Sequence, residues 1–180
     1  MPRFLLGLAA FATAFFISAP SAAQQSGPLI KNYGKVYKIA NPEIPLYPEQ
    51  EFKAVFDVYD NPAAGEGPNP QLETAARFLN MHAQAGVPPE NLKVALVVHG
   101  KAVEDLLSEN AYRARNKNDN RSARLVRDLL QAGVQVAVCG QSATSQKIQR
   151  DQLIPGVVWA LSAMTALVHY QDLGYRFIKF

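Results

Sequence analysis

The chemistry this sequence can offer is concentrated at Cys139, the single cysteine of the chain. It stands in VQVAVCGQSATS, residues 134–145, directly after Val134, Val136 and Val138 and directly before Gly140 and a small polar series, Ser142, Ala143, Thr144 and Ser145. The β-branched residues suit a short buried strand, and the series after Gly140 suits the opening of a helix. A thiol between the carboxyl end of a strand and the amino end of a helix sits where open α/β sheets bind ligands. The helix end favours negative charge, and with it the nucleophilic thiolate. Cysteine also packs well as a small apolar group, so an inert, buried thiol is the alternative reading of the same position.

Other residues are candidates to assist it. His99 closes the apolar run LKVALVV as Cys139 closes its own run, and adjacent strands would bring both side chains to one rim. A neutral imidazole there can take the thiol proton, and an imidazolium can stabilise the thiolate. The plainer role for His99 is a strand-end histidine bonded to a backbone carbonyl. Gly140 and Ser142, with Thr144 and Ser145, can hold an anion through free amides and hydroxyls; they can equally be ordinary capping residues. His82 and His169 are too scattered to form a metal site by spacing, and no metal is expected. No G-x-G-x-x-G, G-x-x-x-x-G-K-[ST], H-E-x-x-H or C-x-x-C occurs, and no cofactor is expected. Without a second cysteine there is neither an internal disulfide nor dithiol redox cycling within one chain, and a bridge between chains is the remaining disulfide.

These residues need a scaffold of alternating strands and helices, and the chain supplies one. Residues 51–59 read as a first strand, ended by the turn NPAAGEGPN. Asn69 and Pro70 then form a cap and first helical position for a helix with Leu72, Ala75, Ala76, Leu79 and Ala83 on one face, closed by Gly86. Residues 92–98 lack polar alternation in their last five positions, as an interior parallel strand does. The charged stretch ENAYRARNKNDN, residues 109–120, reads as a solvated loop, of the kind that can also serve as a flap over a cleft. Asn120 is the expected cap of the next helix, which carries Leu125, Leu129 and Ala132. After Cys139 the pattern predicts a short helix over 143–149, an apolar run over 157–161, a helix over 162–173 and an edge strand over 175–180. The fold class this order predicts is α/β, with a mostly parallel five-stranded sheet covered on both faces.

The ends of the chain carry different information. Residues 1–23 have the organisation of a secretory signal peptide: Arg3, an apolar stretch over 4–17, then Ser21, Ala22 and Ala23. The apolar stretch is shorter than the roughly 20 residues of a membrane-spanning helix. Cleavage would start the mature chain at Gln24, outside the cytoplasm, in a periplasm for a Gram-negative source, with no membrane attachment. Residues 24–50 hold Pro28, Pro42, Pro45 and Pro48 and read as an extended arm, either docked or loosely held. Residues 51–180 form the α/β domain. Removing Arg3 leaves seventeen Lys and Arg against fifteen Asp and Glu, a balance that gives no reason to expect a nucleic-acid partner.

The segment VCGQSA…LIPGVVWALSAMTALVHYQDLGYRFIKF, with LKVALVVHG upstream, resembles the DsrE/DsrF-like sulfur-relay superfamily in its exported single-domain branch. The carrying features are a cysteine straight after a valine-rich strand, P-G-V opening the next strand, and a closing helix ending in G-Y. The resemblance spans residues 51–180. It implies a flavodoxin-like three-layer sandwich and homo-oligomers, often trimers or hexamers, with the cysteine near a subunit-bordered cleft. It further implies that Cys139 accepts sulfane sulfur as a persulfide and passes it to a partner protein, with a sulfur donor or acceptor protein as the possible partner. The competing class is a non-catalytic homo-oligomeric binding protein, with a small ligand or protein partner in a cleft beside a packed Cys139.

Overall fold

The computed structural model describes residues 23–179, so all but the last residue of the expected leader lies outside the described residues, as does Phe180. Five strands form one sheet: β1 (Phe52–Val58), β2 (Leu92–Val98), β3 (Gln135–Cys139), β4 (Val158–Ala160) and β5 (Arg176–Ile178). Their order is β4-β3-β2-β1-β5, and every pairing is parallel, so the expected mostly parallel sheet is parallel throughout. The helices are α1 (Pro70–Gln84), α2 (Glu109–Asn116), α3 (Ala123–Gln131), α4 (Gly140–Ser145) and α5 (Ala163–Asp172).

Alternation along the strands divides the core in two. Ala54, Phe56, Leu96, Val98, Val136 and Val138 face the larger core, shared with Leu72 and Leu79 of α1 and Leu125 and Leu129 of α3. Val55, Ala95, Val97, Ala137 and Cys139 face a smaller cluster completed by Ala163, Ala166 and Tyr170 of α5 and by Tyr175. The sheet is thus covered on both faces, but unequally.

Local chemistry explains where the elements depart from expectation. Residues 109–116 are helical although their sequence reads as a loop. The Ser108 side chain accepts from the Ala111 amide, Lys117 closes the last turn in the left-handed region, and Arg115 and Arg127 pair with Glu104 and Glu109. None of the α2 residues is fully buried, so apolar periodicity had nothing to register. Asn120 does not cap α3 as expected. Its Oδ1 accepts from the Ser122 amide at 3.0 Å while its Nδ2 donates to the carbonyls of Asp105 and Leu107, which makes it a buried strut. The helix after Cys139 starts at Gly140 rather than 143.

Residues 24–50 contain no regular element, and their first part is docked. The buried Asn80 of α1 accepts from the Ile30 amide at 2.8 Å and donates to the carbonyls of Ile30, Tyr33 and Gly34. Gly34 has φ +68°, and a Cβ there would lie 2.5 Å from the Ala76 carbonyl carbon, so only glycine lets the arm approach α1 this closely. Asn80→Ala would strand one buried amide and three carbonyls. The expected result is a loss of about 2–4 kcal/mol in urea unfolding, with amide exchange at residues 25–36 accelerating ahead of the sheet. Unchanged exchange in that segment would show that the arm is held by other contacts.

Candidate functional site

Cys139 is the last residue of β3 and at the same time the N-cap of α4, its side chain accepting from the Ser142 amide at 3.5 Å. A thiol is a weak acceptor compared with the oxygen side chains that usually fill this position, whereas a thiolate is a good one. The cap therefore favours the ionised form. Ser142 adds its hydroxyl: Oγ accepts from the Gly100 amide at 3.1 Å, which leaves the hydroxyl hydrogen to the Cys139 sulfur. The amides of Gln141 and of Ala163, the first residue of α5, also act to lower the thiol's pKa.

The resulting electrostatics have a definite sign. Burial is the largest influence on the Cys139 thiol and pushes its pKa up. The hydrogen bonds from the Ser142 hydroxyl and amide and from the Ala163 and Gln141 amides together outweigh burial, and the thiol ends below its ordinary value. The residue is only 5% exposed and belongs to the α5-facing cluster, against which Ala160 and Leu167 pack. It is therefore a sulfur held close beneath the surface, neither freely accessible nor surrounded by aliphatic groups alone. Outside it, the Gln141 side chain bridges to the Leu161 carbonyl at 3.5 Å, linking the two helix starts.

The other candidates separate on inspection. Ser142 lies at the sulfur. Gly140 is there for packing: a Cβ would meet Trp159 Nε1 at 2.5 Å and the Ala160 carbonyl oxygen at 2.6 Å, so α4 can start against β4 only with glycine. Thr144 is exposed and the Ser145 hydroxyl donates back to the Ser142 carbonyl at 2.9 Å, so neither joins the site. His99 stands at the same rim, but its Nε2 lies 2.7 Å from Asp57 Oδ1 and its amide donates to the Val58 carbonyl. His82 is structural, its ring 4.1 Å from that of Phe78, with burial lowering its pKa. Among the described residues no group of His, Cys, Asp and Glu is placed to hold a metal. A cleft of about 720 Å³ opens between Asp60, Lys101, Glu104, Tyr112 and Gln146, but Cys139 does not line it.

Sequence reasoning missed Asp57, Gly100 and the Ala163 amide. Asp57 did leave a signal, as the one acidic residue in FKAVFDV. A backbone amide leaves none.

A wholly parallel α/β sandwich with a capped, hydrogen-bonded thiol at its carboxyl rim defines a class of single-cysteine, flavodoxin-like proteins. Residues 53–180 match the model of the DsrE/DsrF-like family, and the chain belongs to that family. Two solved structures share the fold. One is MTH1491, a protein of unknown function from Methanobacterium thermoautotrophicum, 17% identical over 72% of this chain and 100% of that one, with a TM-score of 0.53. The other is the YchN protein of E. coli, 18% identical over 72% of this chain and 99% of that one, with a TM-score of 0.54. No curated protein matches the chain.

Ser142→Ala removes the hydroxyl bond and leaves the cap amide in place. The thiol pKa is expected to rise, so alkylation of Cys139 at neutral pH slows several-fold and its pH midpoint moves to higher pH. A midpoint unchanged in the folded variant would mean that the hydroxyl does not act on the sulfur.

Proposed function

We propose that this chain is an exported sulfur-handling protein in which Cys139 accepts a sulfane sulfur, carries it as a persulfide and passes it on. The observation that supports this reading is the helix-capping bond from the Ser142 amide to the Cys139 sulfur at 3.5 Å, on a thiol whose pKa lies below its ordinary value despite burial, which favours a thiolate. In the accepting step the thiolate attacks the terminal sulfur of a donor RS–SH. A sulfur–sulfur bond forms at Cys139 as the donor's own breaks, and RS⁻ leaves. An acceptor thiolate then takes the outer sulfur and returns Cys139 to the thiolate. No net oxidant is consumed. The leader-like residues 1–23 support an exported location for this chemistry, a periplasm for a Gram-negative source.

A homo-oligomer is part of the proposal. Among the described residues one helix, α5, covers its face of the sheet, about 10 Å wide over five strands spanning about 19 Å. It leaves Leu161 71% and Met164 76% exposed, with Val158 and Val168 beside them. A second copy of the chain seated on this stripe would border the rim that carries Cys139. Met164→Glu and Val168→Lys are expected to lower the mass measured by light scattering, whereas a wild type already monomeric at high concentration would remove the oligomer from the proposal.

The burial of Cys139 supports a second reading, that of a binding protein with a packed thiol. Incubation with polysulfide or a small-molecule persulfide, followed by intact mass measurement, separates the two. Sulfur transfer is expected to add one sulfur atom, about 32 Da, to the wild type and nothing to Cys139→Ala. Failure of both sulfur donors and thiol reagents to modify the native protein would establish the packed thiol.

A further inference from the structure

Asp57 is a carboxylate on a face where its neighbours are apolar. Its side chain is 8% exposed, and it lies in β1 on the same side as the fully buried Val55, facing α5. An aliphatic side chain would fill that position without the cost of desolvating a charge. The carboxylate instead lies between two bases: His99 Nε2 is 2.7 Å from Oδ1 and Lys179 Nζ is 3.1 Å from Oδ2.

The strand order gives this arrangement a direction. Lys179 follows β5, Asp57 lies in β1, His99 follows β2 and Cys139 ends β3, and these strands are consecutive neighbours in the sheet. The β2–β3 register runs to Val98 opposite Val138. His99 continues the extended backbone of β2, with φ −148° and ψ −173°, so it falls one residue beyond that pair, beside Cys139 on the α5 face. Neighbouring strands are about 4.8 Å apart. Along one rim the chain thus presents Lys179, Asp57, His99 and Cys139 in that order.

We propose that Asp57 is a positioning residue for His99, and that the His99 imidazole handles the proton in the reaction of Cys139; this rests on the sulfur-transfer reading above. With Nε2–H donated to the carboxylate, the neutral ring keeps Nδ1 as its proton acceptor. The Cys139 thiol passes its proton to the imidazole, and the resulting thiolate attacks the terminal sulfur of RS–SH. The donor S–S bond breaks, RS⁻ takes the proton from the imidazolium and leaves as RSH, and His99 is neutral again. Cys139 then carries the outer sulfur as its persulfide, with atoms, charge and electrons balanced.

Few other titrating groups face this row. The Tyr59 ring lies 6.0 Å from that of His99. Tyr170 of α5 and the nearby Tyr175 are pushed up by burial and stay neutral. The remaining titratable residues of α5, His169 and Asp172, are exposed, and α4 has no charged residue. Lys101 lies beyond Gly100, 3.9 Å from Asp60.

The test compares the wild type with His99→Gln, Asp57→Asn and Asp57→Glu in the mature chain. It follows two rates from about pH 5 to about pH 10: sulfur uptake from a small-molecule persulfide and alkylation of Cys139 by iodoacetamide. At neutral pH, His99→Gln and Asp57→Asn are expected to slow uptake about tenfold or more and to flatten the acidic limb of its profile, with partial recovery in Asp57→Glu. Nitrogen-15 spectra are expected to show His99 protonated at Nε2 in the wild type and as a mixture of tautomers in Asp57→Asn. Uptake within about twofold of wild type in both variants, with an unchanged profile, would overturn the proposal. Should Asp57→Asn not fold, His99→Gln, altering a partly exposed ring, decides alone. Should the wild type take up no sulfur, the sulfur-transfer reading fails by itself. The alkylation profile then settles the row: a shift in His99→Gln supports it, and coincidence with wild type removes it.

Discussion

Parallelism of the sheet is the constraint from which the site follows. When all five strands run the same way, their carboxyl ends share one rim, and the helices that follow them begin there with amides that need acceptors. Four of the helices meet this need with a capping side chain: Asn69 for α1, Ser108 for α2, Cys139 for α4 and Ser162 for α5. Three of the four are oxygen acceptors. The fourth is sulfur, so the group that could act as a nucleophile is also the group that closes a helix, and its ionisation is coupled to the integrity of α4.

The rim is held rigid from the opposite face by a second buried carboxylate. Asp105 accepts from the side chains of Asn61, Asn69 and Ser122 at about 2.8 Å each, and Asn120 donates to its carbonyl. Burial pushes the Asp105 carboxyl up, against the three hydrogen bonds that hold it down. These bonds tie the turn after β1, the start of α1 and the start of α3 to the segment Gly100–Leu106. That segment opens with Gly100, at φ +56° and packed against the Tyr59 carbonyl, where no larger residue fits. The Gly100 amide positions the Ser142 hydroxyl and its carbonyl accepts from Gln146. A polar cluster remote from the sulfur thus fixes the angle at which Ser142 addresses it.

Much of this was legible in the sequence, and the exceptions have physical causes. Five apolar runs and the cap at Asn69 and Pro70 identified the sheet and α1 because burial and proline geometry act locally. Helix α2 escaped because end caps and surface ion pairs hold it, with no apolar stripe to see. The nearness of Cys139 and Ser142 was legible because only Gly140 and Gln141 separate them in sequence. Gly140 was visible as a residue but not in its role, since Trp159 and Ala160, which require it to be small, are distant in sequence. The pairing of His99 with Asp57 depends on strand order, which no single-strand pattern contains.

The two faces of the sheet also explain why the thiol lies where its surroundings are small. On the larger face, leucines and phenylalanines keep α1 and α3 at an ordinary distance from the strands. On the other face the cluster between sheet and helix holds Val55, Val97, Tyr170 and Tyr175 as well, but Ala95, Ala137, Ala163 and Ala166 make up much of it, with Cys139 among them. Small side chains let a helix approach a sheet closely, and only a closely seated α5 can bring its first amide, that of Ala163, within reach of the sulfur. A bulkier residue at Ala137 or Ala166 would bury more apolar area and lift the helix, removing a hydrogen bond that opposes the desolvation of the thiolate. The alanines of this face therefore give up some hydrophobic stabilisation, about 25 cal/mol for each Å² not buried, while the geometry they permit keeps the sulfur ionisable beneath the surface.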